Sequence, residues 1–115
     1  MVHLENINGL NTNVFINLEK QGRHIENSQY YIEGRSILTT DPEMLMNLYA
    51  GKGIPIVVNG KQINKERFVH SDVIGIWKSL DGKLSLQTTK GVIHHSKKKG
   101  LHIVPAEPVD YKKRG

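Results

Sequence analysis

The chain has 115 residues, 37% hydrophobic and 23% charged, with no cysteine and a formal net charge of +5. That length provides one domain with a modest core, and the missing cysteines exclude disulfide and thiolate chemistry. No apolar run of about 18 residues is present to span a membrane, and the opening MVHLENING lacks the basic-then-apolar layout of a signal peptide.

The positive balance suits a polyanionic partner. Glu5, Glu19, Glu26, Glu33, Asp41 and Glu43 lie in the first half, so the second half carries most of the excess positive charge. Aromatic residues make up only 6%, which argues against a sheet that stacks several RNA bases.

Residues 1–11 read as a loose lead-in, rich in Asn and Gly. Thr12 or Asn13 could cap a helix carrying Val14, Phe15, Ile16 and Leu18 and ending at Gly22. A polar segment follows, QGRHIENSQYY, and then a loop at Glu33-Gly34-Arg35-Ser36. The spacing predicts a second helix over Thr40–Ala50. Thr40 and Glu43 have capping-box spacing, Pro42 sits in the first turn, Met44, Leu45, Leu48 and Tyr49 share a face, and Gly51 stops it.

From there β signals dominate. Ile54–Val58 and Lys61–Ile63 flank Asn59-Gly60, and Val73–Leu80 and Lys83–Thr89 flank Asp81-Gly82, two strong hairpin signals. The second register pairs Trp77 with Leu86, sets Ser79 opposite Leu84, and makes Trp77 a core residue. A third hairpin joins Val92–His95 to Leu101–Val104 through a turn bearing Lys97, Lys98, Lys99 and Gly100. Keeping its apolar residues on one face pairs Ile93 with Ile103, and therefore His94 with His102. His95 should then be the buried neighbour, on the opposite face with Ile93, Leu101 and Ile103. A single regular strand from Leu84 to His95 would put Leu84 and Leu86 on the His94 face, so a bulge or break is expected at Lys90-Gly91. Lys112-Lys113-Arg114 falls in a basic tail at 109–115. Helices followed by an antiparallel meander read as α+β, with the helices on one face of the sheet.

Six histidines raise the question of a metal. No His-x-x-x-His falls on a helix, and His94 and His95 are adjacent on a strand, facing opposite ways. No P-loop, dinucleotide fingerprint or G-x-S-x-G is present. What remains is metal-free acid–base chemistry on a phosphate, with no cofactor. RNA supplies its own 2′-hydroxyl nucleophile. Cleavage needs a base, an acid for the leaving oxygen, and cations for the charge on phosphorus. His94, His102, Ser96, Lys97 and Thr89 are the candidates on the hairpin, and His24 can join them only through tertiary folding. Arg23, Arg35, Lys90, Lys98 and Lys99 are the cations expected to hold RNA phosphates.

QGRHIENSQYY, the Thr-Asp-Pro-Glu helix ending in YAGKG, DVIGIW and TTKGVIHHSKKKGLHIVPAEP, in that order over 21–108, together resemble the polymorphic toxin type 50 domain. That domain often forms the C-terminal end of phage minor head proteins and of toxins delivered between bacteria. The resemblance implies a ribonuclease toxin of the barnase–EndoU–colicin–RelE (BECR) type. Its expected fold is N-terminal helices packed on an antiparallel sheet of about four strands, plus a small hairpin. RNA, tRNA included, would be the substrate in a target cytoplasm, and an immunity protein a partner. The family's K-H-I pattern falls on His24-Ile25, I-H-Y-S-K on Ile93 to Lys97, and T-H-I-V-P-A-R-P on Leu101 to Pro108. His95, Leu101 and Glu107 stand where the family has Tyr, Thr and Arg. The alternative class is a non-catalytic phage- or toxin-derived module that binds RNA or a protein.

Overall fold

The structure, a computed structural model, describes residues 15–108. The expected lead-in, the caps at Thr12 or Asn13 and the basic tail lie outside the described residues. In chain order the elements are α1 (Leu18–Gly22), β1 (Ile37–Leu38), α2 (Pro42–Tyr49), β2 (Ile54–Val58), β3 (Lys61–Val69), β4 (Gly75–Lys78), β5 (Ser85–Thr88), β6 (Lys90–Ser96) and β7 (Gly100–Pro105). The strands form two antiparallel sheets, β1-β4-β5 and β2-β3-β6-β7.

This corrects the expected architecture. The fold is a small β-rich one rather than α+β with helices packed on a sheet, and the two helices among the described residues span only five and eight residues. The physical reason lies at the β7 edge. Phe15 to Asn17 are extended alongside β7, where Leu101 N–H donates to the Phe15 carbonyl (2.7 Å) and Asn17 N–H to the Leu101 carbonyl (2.8 Å). A helix started at Thr12 or Asn13 could not supply those groups, so α1 begins only after Asn17, whose side chain caps it. In α2 the cap is Asp41 rather than Thr40, whose hydroxyl donates to the Val73 carbonyl instead. The last hairpin is the β6–β7 half of the four-stranded sheet, not an appendage to it.

Turn chemistry carried most of the strand pairing. Asn59 and Gly60 both take positive φ (52° and 78°), as a two-residue hairpin turn of this hand demands. At Asp81-Gly82 only Gly82 does so. The turn there is closed by Gly82 N–H to the Ser79 carbonyl, with Ser79 N–H bonded to Leu84, so the strands end earlier than the dipeptide suggests. Trp77 pairs with Leu86, and His94 with His102, in the registers expected, but Trp77 is half-buried and lines a surface cleft instead of joining the core. The break falls at Thr89, one residue before Lys90-Gly91, and is more than a bulge: the chain leaves one sheet at Thr88 and enters the other at Lys90. Gly91 follows because a Cβ there would lie 2.5 Å from the Phe68 ring.

The core joins Leu45 and Met46 of α2 to Phe68, Ile74, Ile93, Leu101 and Ile103. Each such side chain contributes about 1.5–3 kcal/mol by leaving water. Alternation along β6 and β7 sends Ile93, His95, Leu101 and Ile103 into this core. It leaves Val92, His94, His102 and Val104 half-buried on the other face.

Candidate active site

The half-buried face of β6 and β7 carries the site. His94 and His102, opposite one another in register, have ring centroids 4.5 Å apart. His24 reaches the same face from beyond α1, its ring 6.3 Å from His102 and nearly parallel to it. The three imidazoles therefore form a row with His102 in the middle.

Gln21 explains how His24 gets there. Its buried side-chain amide grips the backbone of Ile103 at both ends, donating from Nε2 to the carbonyl (2.9 Å) and accepting at Oε1 from the N–H (2.7 Å). This docks the C-terminal end of α1 on β7, three residues before His24. Ser36 then fixes the ring: its carbonyl lies 2.9 Å from His24 Nδ1. In the neutral imidazole Nδ1–H donates to that carbonyl, which leaves Nε2 as the acceptor.

Burial and surrounding cations keep these rings uncharged. His94 is pushed down to about 3, first by burial, then by His102 and Lys65. His102 is pushed down to about 4, again by burial first and then by His24, Lys20 and Arg23. Burial also lowers His24, with the hydrogen bond to Ser36 opposing and the charges of Arg35 and Arg23 adding to the fall. The row of neutral imidazoles lies within the field of Lys20, Lys65, Arg23 and Arg35.

The remaining sequence candidates divide. Ser96 shares the His94 face, but its hydroxyl already accepts from Lys99 N–H (3.0 Å) and so shapes the turn. Lys97, Lys98 and Lys99 are exposed at the hairpin tip. Lys90 lies on the same face as His94, four residues along β6. Arg35 is exposed, and Arg23 is partly occupied by an ion pair with Glu19 at 3.0 Å. Thr89 is not brought to the histidines. It sits at the crossover between sheets, about 17 Å from His94 by strand rise.

Sequence reasoning missed Lys20 and Lys65, two of the cations whose charge acts on the row. Lys65 pairs in register with His94, but β3 was read only as far as Ile63. It also missed Glu66, which is wholly buried behind the site. The Glu66 carboxylate accepts from His95 Nε2 (2.5 Å) and from the N–H groups of Gly51 and Gly53 (2.8 Å each). Burial alone would raise this carboxyl, but those hydrogen bonds outweigh it and its net shift is downward. His95 is accordingly buried, more so than His94. A polar residue between Lys65 and Arg67 gave no hint that it points into the core. The alternation Ile63, Lys65 against Glu66, Phe68 becomes legible only once β3 is extended to Val69.

Among the described residues no group of three or more His, Asp or Glu side chains is arranged to hold a metal ion, and no helix is long and apolar enough to cross a membrane. A family model described as bacterial toxin 50 matches residues 16–105. No curated protein matches the chain.

Proposed function

The chain belongs to the bacterial toxin 50 family and is a toxin domain; we propose that it acts as a metal-independent endoribonuclease in the cytoplasm of a target cell. The observation that carries this reading is the row His24–His102–His94 on one cationic face.

His24, with Nε2 as its acceptor, takes the proton of the 2′-hydroxyl. That oxygen attacks phosphorus, the bond to the 5′-oxygen breaks, and His102 protonates the leaving oxygen, giving a 2′,3′-cyclic phosphate. The acid must be charged, yet His102 stands at about 4 in the free protein. The substrate supplies the correction. One negative charge about 4 Å away is worth about 4 kcal/mol at an effective dielectric of about 20, which is about three pKa units. The pKa of His102 would rise to about 7 on binding, so that the ring takes up its proton, while His94, starting lower, would stay mostly neutral and support it from 4.5 Å. Lys20 and Lys65 stabilise the charge building on phosphorus, with Lys97 and the hairpin tip holding the strand further out.

Incubation of the purified protein with total RNA and with tRNA in EDTA tests this. Discrete fragments ending in cyclic phosphates are expected, and each of His24→Ala, His94→Ala and His102→Ala should cut the rate by about 10²–10⁴. Expression without an antidote should arrest growth, relieved by His94→Ala. Intact RNA with retained binding would instead favour a non-catalytic RNA-binding module, and toxicity of all three variants equal to that of the wild type would remove the site assignment.

A further inference from the structure

We propose that the open cleft beside His24 is a nucleobase subsite that favours guanine. This rests on the ribonuclease reading, since it places a base next to the ribose whose 2′-hydroxyl His24 would deprotonate. The cleft has a volume of about 580 Å³, and its lining includes His24, Arg35, Trp77 and Lys78, together with the carboxylates Glu33 and Glu107. A nucleotide fits a space of that size.

Its wall is held in one piece. The Ser36 carbonyl bonds His24 Nδ1, while the Ser36 hydroxyl accepts from Lys78 N–H (2.9 Å). Tyr31 Oη donates to the Arg35 carbonyl (3.2 Å) and accepts from Lys78 Nζ (3.4 Å). The histidine and the cleft wall are therefore tied to one another through Ser36.

The mixture of charges identifies the ligand class. Two cations suit a phosphate, but two carboxylates in the same cleft repel one. A nucleotide reconciles them: Arg35 and Lys78 take the phosphate, Trp77 offers a ring for stacking, and a carboxylate accepts from base N–H groups. Guanine presents two adjacent donors on one edge, which a single carboxylate can accept as a pair, whereas uracil presents one. A single stacking residue also agrees with the low aromatic content of the chain.

Trp77 is the only tryptophan, so its fluorescence reports the cleft directly. The full chain is titrated with guanosine monophosphate, uridine monophosphate and ribose phosphate, with correction for nucleotide absorbance. Guanosine monophosphate should quench saturably and bind several-fold more tightly than the uridine compound, and ribose phosphate should not quench. Arg35→Ala should weaken nucleotide binding about tenfold. Glu33→Gln or Glu107→Gln should bring the two nucleotides within about twofold of each other. Absence of saturable quenching, or quenching by ribose phosphate alone, would overturn the proposal. So would a guanine preference that survives both Gln substitutions. Quenching as expected in a protein that leaves RNA intact would keep the base subsite and remove the nuclease reading. RNA cleavage without quenching would do the reverse.

Discussion

Acid should destabilise this protein at pH values where its carboxylates are still ionised, because the histidine row is folded in its neutral form. In the unfolded chain His94 and His102 titrate near 6.5; in the native state they stand at about 3 and about 4. The folded values are depressed. The stability is therefore fully present above about pH 6.5 and is lost as pH falls toward the folded values. At pH 5 the unfolded state binds about 1.8 more protons on these two rings than the native state, a slope of about 2.5 kcal/mol per pH unit. The face is partly open and solvent screens it, so about half of that, roughly 1.2 kcal/mol per unit, is the expected effect. Between pH 6.5 and 4.5 the loss is then about 2 kcal/mol, a large share of a small domain's stability. Glu66, pushed down by its hydrogen bonds, adds a loss only below its unfolded value near 4.5, so the upper window belongs to the histidines. Urea unfolding at constant ionic strength, in steps from pH 7.5 to 4.5, measures the slope. The double substitution His94→Gln/His102→Gln should flatten it, leaving only the contribution of His24. A wild-type stability that does not change between pH 6.5 and 5, or an unchanged slope in the double variant, would refute the argument.

Gln21→Leu removes both clamps on Ile103 and leaves a buried N–H and carbonyl unpaired. A cost of about 2–4 kcal/mol is expected in urea unfolding, with cleavage falling further than stability accounts for, because His24 loses its anchor. Glu66→Gln turns an amide against two N–H donors and His95. A loss of about 3 kcal/mol is expected, seen as a lower Tm at pH 7, and a change under about 0.5 kcal/mol would show that the carboxylate charge is immaterial there. Replacing Lys97, Lys98 and Lys99 by Ala should reduce the log–log salt slope of RNA binding by about 2 units if all three touch phosphates. Lys65→Ala should remove about 0.7 units and also weaken cleavage, since it faces His94; identical cleavage would place the phosphate elsewhere.

The pairing of His94 with His102 was legible in the sequence because period-two alternation leaves one register that keeps Ile93, Leu101 and Ile103 together. The same rule buried His95. The Asn59-Gly60 turn was legible because positive φ at two successive residues admits few residue types. Failure came where a local signal competed with a distant partner. The apolar cluster around Phe15 and Ile16 suggested a helix, but the unpaired backbone of β7 claimed that segment as a short extended neighbour. The change of sheet at Thr89 registered only as a misplaced face, since nothing within Leu84 to His95 says which sheet the second half will join. His24 is the sharpest case. Its identity is in the sequence, but its place beside His102 depends on Gln21 gripping Ile103 and Ser36 holding Nδ1, contacts that span 82 and 12 residues. Alternation and turn chemistry act over a few residues and can be read along the chain. The depressed pKa values of the row depend on burial and on charges from α1 and β3, and those exist only once the chain has folded.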